Sequence, residues 1–492
     1  MKKECILQTG VCFQTKDKAH QEVYDLAVKR ARENIFDFGG TKVMIEGSDM
    51  YRGVWIETQP MGGEIYAAYD ARVALGNQLI FMRNARADGR LPGAIFFERG
   101  KLRCRYDMLQ GYCFPQHALN LYYWTKDRQY LKELYAVLRA HDEYLWKWRD
   151  PAGRGCLQSW CVWDTGEDNS VRFGRAQDSW EGETPPDFER MPFYSMDVMG
   201  YSYDGRNTLA EISRLLDNGE EALWRERAGY VARRLKEYLW REERSACFDR
   251  DKTGAFTETL IHNNLRCMYH GVFSADMAAR FVREHLLDPE EFYTPFPLPS
   301  IAANDPSFRD LGENNWSGQP QSLTYQRALF ALEKYGYLSL AEDFAKKYLR
   351  VMKEYKLFVQ QFDPFLAKPT MASHDGYGPA VLNVLAFTSH FYGLFKRRES
   401  MIWTGSEGEY SFEQRIGERR YLLTAEKGQM AGFLNGEELF RVQTGVRVET
   451  DEAGRVLSLI GMEGGGVRLT KNGHTMFEGT LSKDGAVQLA AQ

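Results

Sequence analysis

No apolar run in this chain of 492 residues reaches the ~18–20 residues that a membrane-spanning helix requires. The start, Met1-Lys-Lys-Glu-Cys-Ile-Leu-Gln-Thr-Gly10, has a basic pair but lacks the apolar core of ~7–15 residues that makes a secretory signal. Both absences point to a cytoplasmic protein with no membrane role. An excess of positive charge is missing too: 63 Lys and Arg stand against 68 Asp and Glu, a net −5. With a pI near 6.1 there is no basic footprint for nucleic acid and no attraction to an anionic lipid surface. Cysteine is sparse and unpatterned. None of the eight forms a C-x-x-C pair, and Cys156 and Cys161 are spaced unlike common zinc ligands. They read as buried apolar thiols, and no metal site is expected. Gly62-Gly63 reads as a turn, because no Lys-Ser/Thr pattern of a phosphate loop follows it. Low-complexity tracts are absent.

Apolar and aromatic side chains are plentiful. Hydrophobic residues make up 43% of the chain and aromatics 14%, enough for a large core and also for sugar-binding platforms, since pyranose C–H faces pack on aromatic rings. From about Ala19 to Arg398 the texture is helical. In Glu220–Trp240, for example, Leu223, Ala228, Val231, Leu235 and Leu239 recur at helical spacing with charged residues between them. Further windows are His20–Asn34, Ala68–Arg86, Pro115–Tyr123, Gln129–Arg149, Thr208–Leu216, Ala275–His285, Gln319–Tyr335, Leu340–Tyr355 and Gly378–Arg397. Three long polar loops interrupt them, at 150–187, 287–318 and 358–377, and long loops of that kind commonly carry function. After Met401 short alternating runs appear, separated by turn pairs such as Asn435-Gly436 and Asn472-Gly473. The expected organisation is an N-terminal extension over 1–19, an (α/α)6 toroid over 20–400 and a β-sandwich-like domain over 401–492.

The densest chemistry lies in Trp160–Phe173, where Asp164, Glu167 and Asp168 crowd together. Like charges this close oppose each other's ionisation, so one carboxyl is expected to keep its proton and to serve as a general acid. Trp163 is placed to exclude water and Arg172 to hold a neighbouring carboxylate ionised. A solvated turn rich in Asp and Asn is the alternative reading of the same spacing.

Trp163-Asp-Thr-Gly-Glu-Asp-Asn-Ser-Val-Arg172 resembles the W-x-x-G-x-D-N-S-P-R motif of glycoside hydrolase family 63, of which the family 37 trehalases carry a related form. Val171 stands where that motif has Pro. The resemblance continues in order along the helical part. Tyr69-Asp70 is similar to a W-D sugar-binding pair, Arg86-Ala-Asp-Gly-Arg-Leu-Pro92 to a D-G-x-I-P turn, and Pro299-Ser-Ile-Ala-Ala-Asn-Asp-Pro306 to P-S-V-A…D-P. Asn315-Trp-Ser-Gly-Gln-Pro320 is similar to Y-W-R-G-P. The resemblance implies an (α/α)6 six-hairpin glycosidase fold and an inverting α-glycosidase acting on a small disaccharide or glycoside. It makes Asp168 the general acid, with Glu57, Tyr69, Asp70, Trp163, Asn169, Arg172 and Trp316 about the sugar.

The family's base, a Glu in an E-N-Y-D-P motif, is where the resemblance breaks. The matching stretch is Val359-Gln-Gln-Phe-Asp-Pro364, with Gln360 in the Glu position. An amide cannot take a proton from water, so Gln360 is expected to bind a hydroxyl or the water. Candidates for the missing base are Glu313, Asp375 and Glu57. No cofactor is needed for two-carboxylate chemistry. Two other readings stay open: a carbohydrate-binding relative that no longer hydrolyses, and a sugar epimerase or lyase, which would place His117 or His374 in the cavity. A homo-oligomer is possible.

Overall fold

The computed structural model describes residues 8–48 and 50–489; Cys5 lies outside them. Among these residues twelve α-helices run from Lys18 to Phe391: α1 (Lys18–Glu33), α2 (Gln59–Tyr66), α3 (Ala71–Arg83), α4 (Phe114–Thr125), α5 (Arg128–Trp148), α6 (Met196–Leu216), α7 (Glu221–Tyr238), α8 (Asn263–His270), α9 (Ala275–Phe281), α10 (Ser322–Lys334), α11 (Leu338–Tyr355) and α12 (Gly378–Phe391). The even-numbered helices form an inner ring in which each touches the next and α12 closes back onto α2. The outer helices α3, α5, α7 and α11 each pack on the inner helix that precedes them, and α1 packs on α12. This is an (α/α)6 toroid.

Burial follows position in the ring. α12 is apolar on nearly every face and almost wholly buried, as a helix enclosed on all sides must be. The outer α11 instead buries one stripe, including Phe344, Tyr348 and Met352, and solvates the other. Two inner helices escape the periodicity. α8 carries Leu265, Met268 and Tyr269 on one face, but it is only eight residues long and buries Asn263, Asn264, Arg266 and His270 as well, so its apolar pattern is too short and too interrupted to stand out. α2 contains Gly62 and Gly63, which the sequence presents as a turn. They lie in a helix because the ring demands close approach: a Cβ on Gly62 would sit 2.7 Å from Leu382 Cδ1 of α12, and one on Gly63 would sit 3.0 Å from Asn77 Cβ.

The connections are asymmetric. From inner to outer helix the chain needs only residues 67–70, 126–127, 217–220, 271–274 and 335–337. Several of these turns use a left-handed residue to stop the helix, such as Lys126, Asp217 and Gly271. From outer to inner helix it spends residues 34–58, 84–113, 149–195, 239–262, 282–321 and 356–377. All long loops therefore meet at one mouth, over the N-termini of the inner helices.

After Phe391 the chain is antiparallel β. A five-stranded sheet (Tyr392–Arg397, Ser400–Gly405, Val446–Asp451, Val456–Gly461, Gly485–Gln488) packs through Trp403 against Tyr421 and Phe440 of a seven-stranded sheet. Asn435-Gly436 and Asn472-Gly473 turn two hairpins with positive φ at both residues, as type I′ turns require. Strand Thr9–Thr15 joins the seven-stranded sheet beside Tyr410–Ile416. Cys113, Cys156, Cys161, Cys247 and Cys267 are buried free thiols. No helix among the described residues is long and apolar enough to cross a membrane.

Arg447 fastens the sheets to the ring. Buried, it pairs with Glu333 of α10 at 2.7 Å and donates to the His390 carbonyl of α12 at 3.0 Å. Burial opposes ionisation of Glu333, but Arg447 and His390 outweigh it and hold the carboxyl far below its ordinary value of 4.5. A depressed carboxyl contributes stability above its unfolded pKa, and that stability is lost as pH falls below it. Arg447→Met strips a buried carboxylate of its partner and is expected to cost about 3–5 kcal/mol at pH 7. The deficit should narrow below about pH 4.5. Urea unfolding at the two pH values checks both.

Candidate active site

Two 3-10 turns, Val162–Asp164 and Val171–Phe173, and left-handed residues at Gly166 and Asn169 coil the 149–195 loop tightly. The coil gives its three carboxylates different surroundings. Asp164 is fully buried and accepts from the backbone N–H of Leu109 and of Trp160, each at 2.7 Å, while Arg149 pairs with it. Glu167, equally buried, pairs with Arg172 and accepts from Asn263 at 3.0 Å. Burial opposes its ionisation, but Arg172, His262 and Arg266 hold it well below the usual carboxylate range. Among the described residues no cation pairs with Asp168. It accepts from Asn314 Nδ2 at 2.9 Å, and burial lifts it to about 6, with the charges of Glu57 and Asp178 adding to the effect and Asn314 and Trp163 working against it. The crowding expected from the motif is thus resolved by arginines. Burial and Glu57, not its two motif neighbours, raise Asp168.

Asp168 lies on the wall of a cavity of about 170 Å³ at the mouth where the long loops meet. That is below the roughly 300–1,000 Å³ of sites that enclose drug-sized ligands and suits a single sugar ring. Trp55, Trp163 and Trp316 supply aromatic faces, and Glu46, Glu57 and Gln360 supply polar ones. A polar chain runs along one wall: Tyr51 OH donates to Gln360 Oε1 at 3.0 Å, Gln360 Nε2 donates to Asn314 Oδ1 at 3.0 Å, and Asn314 continues to Asp168. The Trp316 N–H donates to the Asp168 carbonyl at 3.0 Å, joining two of the long loops. Arg105 covers the Trp163 ring at 4.9 Å and is held by Asp107. Among the described residues no group of three or more His, Cys, Asp or Glu side chains is arranged to hold a metal ion.

Glu57, Trp163, Asp168, Trp316 and Gln360 therefore share one cavity. Other expected site residues lie elsewhere, for identifiable reasons. Tyr69 and Asp70 sit in the short α2–α3 turn at the opposite end of the ring. There Tyr69 bonds the Tyr24 hydroxyl at 2.9 Å, and Asp70 caps α3 through Arg72 N at 2.9 Å. Arg172 is buried against Glu167 and Asp249, and it is not among the residues that line the cavity. Asn169 is exposed and donates to the Asn314 carbonyl at 2.8 Å, bracing the loop. Glu313 is exposed, and its neighbour Asn314 turns inward instead. Asp375 pairs with Arg30 of α1 at 2.7 Å and accepts from Phe358 N at 2.8 Å, outside the cavity. His374 is also outside it. His117 lines a different cavity, at the other end of the ring, between Glu64 and Tyr269.

The residues that sequence reasoning missed are Glu46, Tyr51, Arg105, Gln110, Asn314 and Tyr377. None stands in a motif and each comes from a long connection; Asn314 stands behind the lining, bonded to Asp168 and Gln360, and the others line the cavity.

Comparison with known proteins gives the following. The profile of the mannosylglycerate hydrolase MGH1-like glycoside hydrolase domain matches residues 66–377. No curated protein matches by sequence. Among solved structures, the family 63 mannosylglycerate hydrolase from Thermus thermophilus in complex with glucose superposes with a TM-score of 0.63 at 16% identity, over 74% of this chain and 99% of that one. A sialidase gives 0.68 at 14% identity, over 92% of this chain and 42% of that one. Neutral trehalase from Saccharomyces cerevisiae gives 0.52 at 14% identity, over 71% and 74%.

A carboxyl raised from 3.8 to about 6 withdraws stability as pH climbs through that interval, because the unfolded chain ionises freely. Asp168→Asn is expected to be more stable than wild type at pH 7.5 by up to about 3 kcal/mol. The difference should shrink as pH approaches 4, which urea unfolding at several pH values will check.

Proposed function

The chain belongs to the mannosylglycerate hydrolase MGH1-like glycoside hydrolase family, and on that footing we propose that it is an inverting α-glycosidase that removes one sugar from a small disaccharide or glycoside. The observation that carries the proposal is Asp168. It is the one carboxyl of its motif without a counter-cation, raised to about 6 on the wall of a cavity sized for one ring. A carboxyl of that pKa keeps enough proton near neutrality to give it to a departing glycosidic oxygen. Gln360 lies across the Asn314 side chain from Asp168, with hydrogen bonds of 3.0 and 2.9 Å on either side.

In this reading Trp163 and Trp316 stack the sugar, and Glu57 and Gln360 bind its hydroxyls. Arg105, on the same wall, suits an anionic group on the leaving portion. The similarity to a mannosylglycerate hydrolase makes mannosylglycerate one compound to test. The second reading, a carbohydrate-binding relative without hydrolysis, draws its support from the amide at Gln360, where the resembling families have their base.

The test compares wild type with Asp168→Asn on α-linked gluco-, galacto- and manno-configured disaccharides and on mannosylglycerate, with products followed by proton NMR from the first minutes. The β-anomer should appear first, and the variant should be slower by about 10²–10⁴-fold. Binding without turnover in wild type would favour the second reading. Undiminished turnover in Asp168→Asn would remove Asp168 from the chemistry.

A further inference from the structure

We propose that Glu46 is the relocated second carboxylate of this site, the base that activates water in place of the residue that became Gln360; the inference rests on the glycosidase reading above. Of the acidic side chains lining the cavity, Asp168 is the proposed acid, which leaves Glu57 and Glu46. Glu57 is tied down. Arg327 donates to its Oε1 at 3.0 Å and Gln110 to its Oε2 at 2.9 Å. The backbone of Gly111 and of Gly166 presses against it so closely that a Cβ on either would lie 2.5 Å or less from a carboxylate oxygen. Both oxygens of Glu57 already accept from protein donors, which suits a fixed acceptor for a sugar hydroxyl better than a base that must aim a water.

Glu46 differs on each count. Among the described residues the one group that hydrogen-bonds its carboxyl is the Tyr377 hydroxyl, which leaves lone pairs free to take a proton. It also sits beside the place the family's base is expected to occupy. Gly378 N, at the start of α12, donates to the Glu46 carbonyl at 2.5 Å, so the Glu46 loop packs against the very helix that Gln360 precedes. Tyr51, in the same wall, donates to Gln360 at 3.0 Å. The carboxylate has in effect moved from the loop before α12 to the loop before α2 while still lining the same cavity as Asp168.

The chemistry balances with these two groups alone. Glu46, ionised, removes a proton from water as the water oxygen bonds to the anomeric carbon. The bond from that carbon to the leaving oxygen breaks, and that oxygen takes the proton of Asp168. The products are the inverted sugar and the free alcohol, and solvent returns the proton from Glu46 to Asp168. Burial, with the charges of Glu57 and Asp168 adding to it, opposes ionisation of the Glu46 carboxyl; a proton on Asp168 removes that neighbour's charge, so the protonated acid and the ionised base favour each other. The hydroxyl bond from Tyr377 works the other way and stabilises the ionised form that the step requires.

The test uses α-mannosyl and α-glucosyl fluoride, whose leaving group needs no acid. Glu46→Gln should lose about 10²–10⁴-fold in kcat/KM on whichever fluoride wild type hydrolyses, whereas Asp168→Asn should keep far more of its rate there than on a disaccharide. Glu46→Ala, with the carboxyl removed, should regain turnover in sodium azide and yield the β-glycosyl azide, because azide needs no base. That rescue also shows that the variant is folded. Adding Gln360→Glu to Glu46→Gln should restore part of the activity. Full activity in Glu46→Gln, or an azide-insensitive Glu46→Ala, overturns the assignment of Glu46 while leaving the glycosidase reading in place. If wild type hydrolyses neither fluoride nor any α-linked disaccharide, the glycosidase reading fails and this inference fails with it.

Discussion

The buried pairing of Arg172 with Glu167 and of Arg149 with Asp164 is the constraint on which the candidate site depends. A loop with three carboxylates in five residues would repel itself in a low-dielectric interior unless most of them were neutralised. Arg149 also stacks on Trp160 at 4.3 Å, and Arg172 on Phe173 at 4.3 Å, so the cations that hold two of the carboxyls also fasten the loop to its own aromatics. Asp168 is left without a cation, and burial does to it what burial does to any unpaired acid.

The ring explains why this happens where it does. Short connections at one end and long loops at the other are a consequence of twelve helices arranged as six hairpins. Every long loop then converges over the inner N-termini, where side chains from distant parts of the sequence meet. Trp316 and Asn314 come from one loop, Gln360 from another and Glu57 from the first. The opposite end has little loop to build with, which is why Tyr69 and Asp70 serve a helix turn and a cap.

What was legible in the sequence was what short-range physics decides. Outer helices such as α7 and α11 announce themselves by one apolar stripe, and the Asn-Gly hairpins by residues that tolerate positive φ. The motif placed Asp168, Trp163 and Arg172 close together, because they are close in the chain. Illegible were elements whose surroundings come from elsewhere. α8 is helical despite four buried polar residues because the ring encloses and pairs them. Gly62 and Gly63 are helical because α12 and α3 press on them. Glu46 and Asn314 enter the site from loops whose paths only the closed ring defines, while Glu313, one residue from Asn314, faces solvent.

Proton donation from Asp168 to the departing oxygen is the step on which the proposed hydrolysis turns. The most direct measurement is the dependence of kcat/KM on leaving-group acidity for wild type and Asp168→Asn, using aryl α-glycosides of the sugar that wild type accepts. With Asp168 as the acid, the dependence should be shallow for wild type and steep for the variant, with the two rates converging on the most acidic phenols. Parallel slopes, with the variant slower by the same factor throughout, would contradict it.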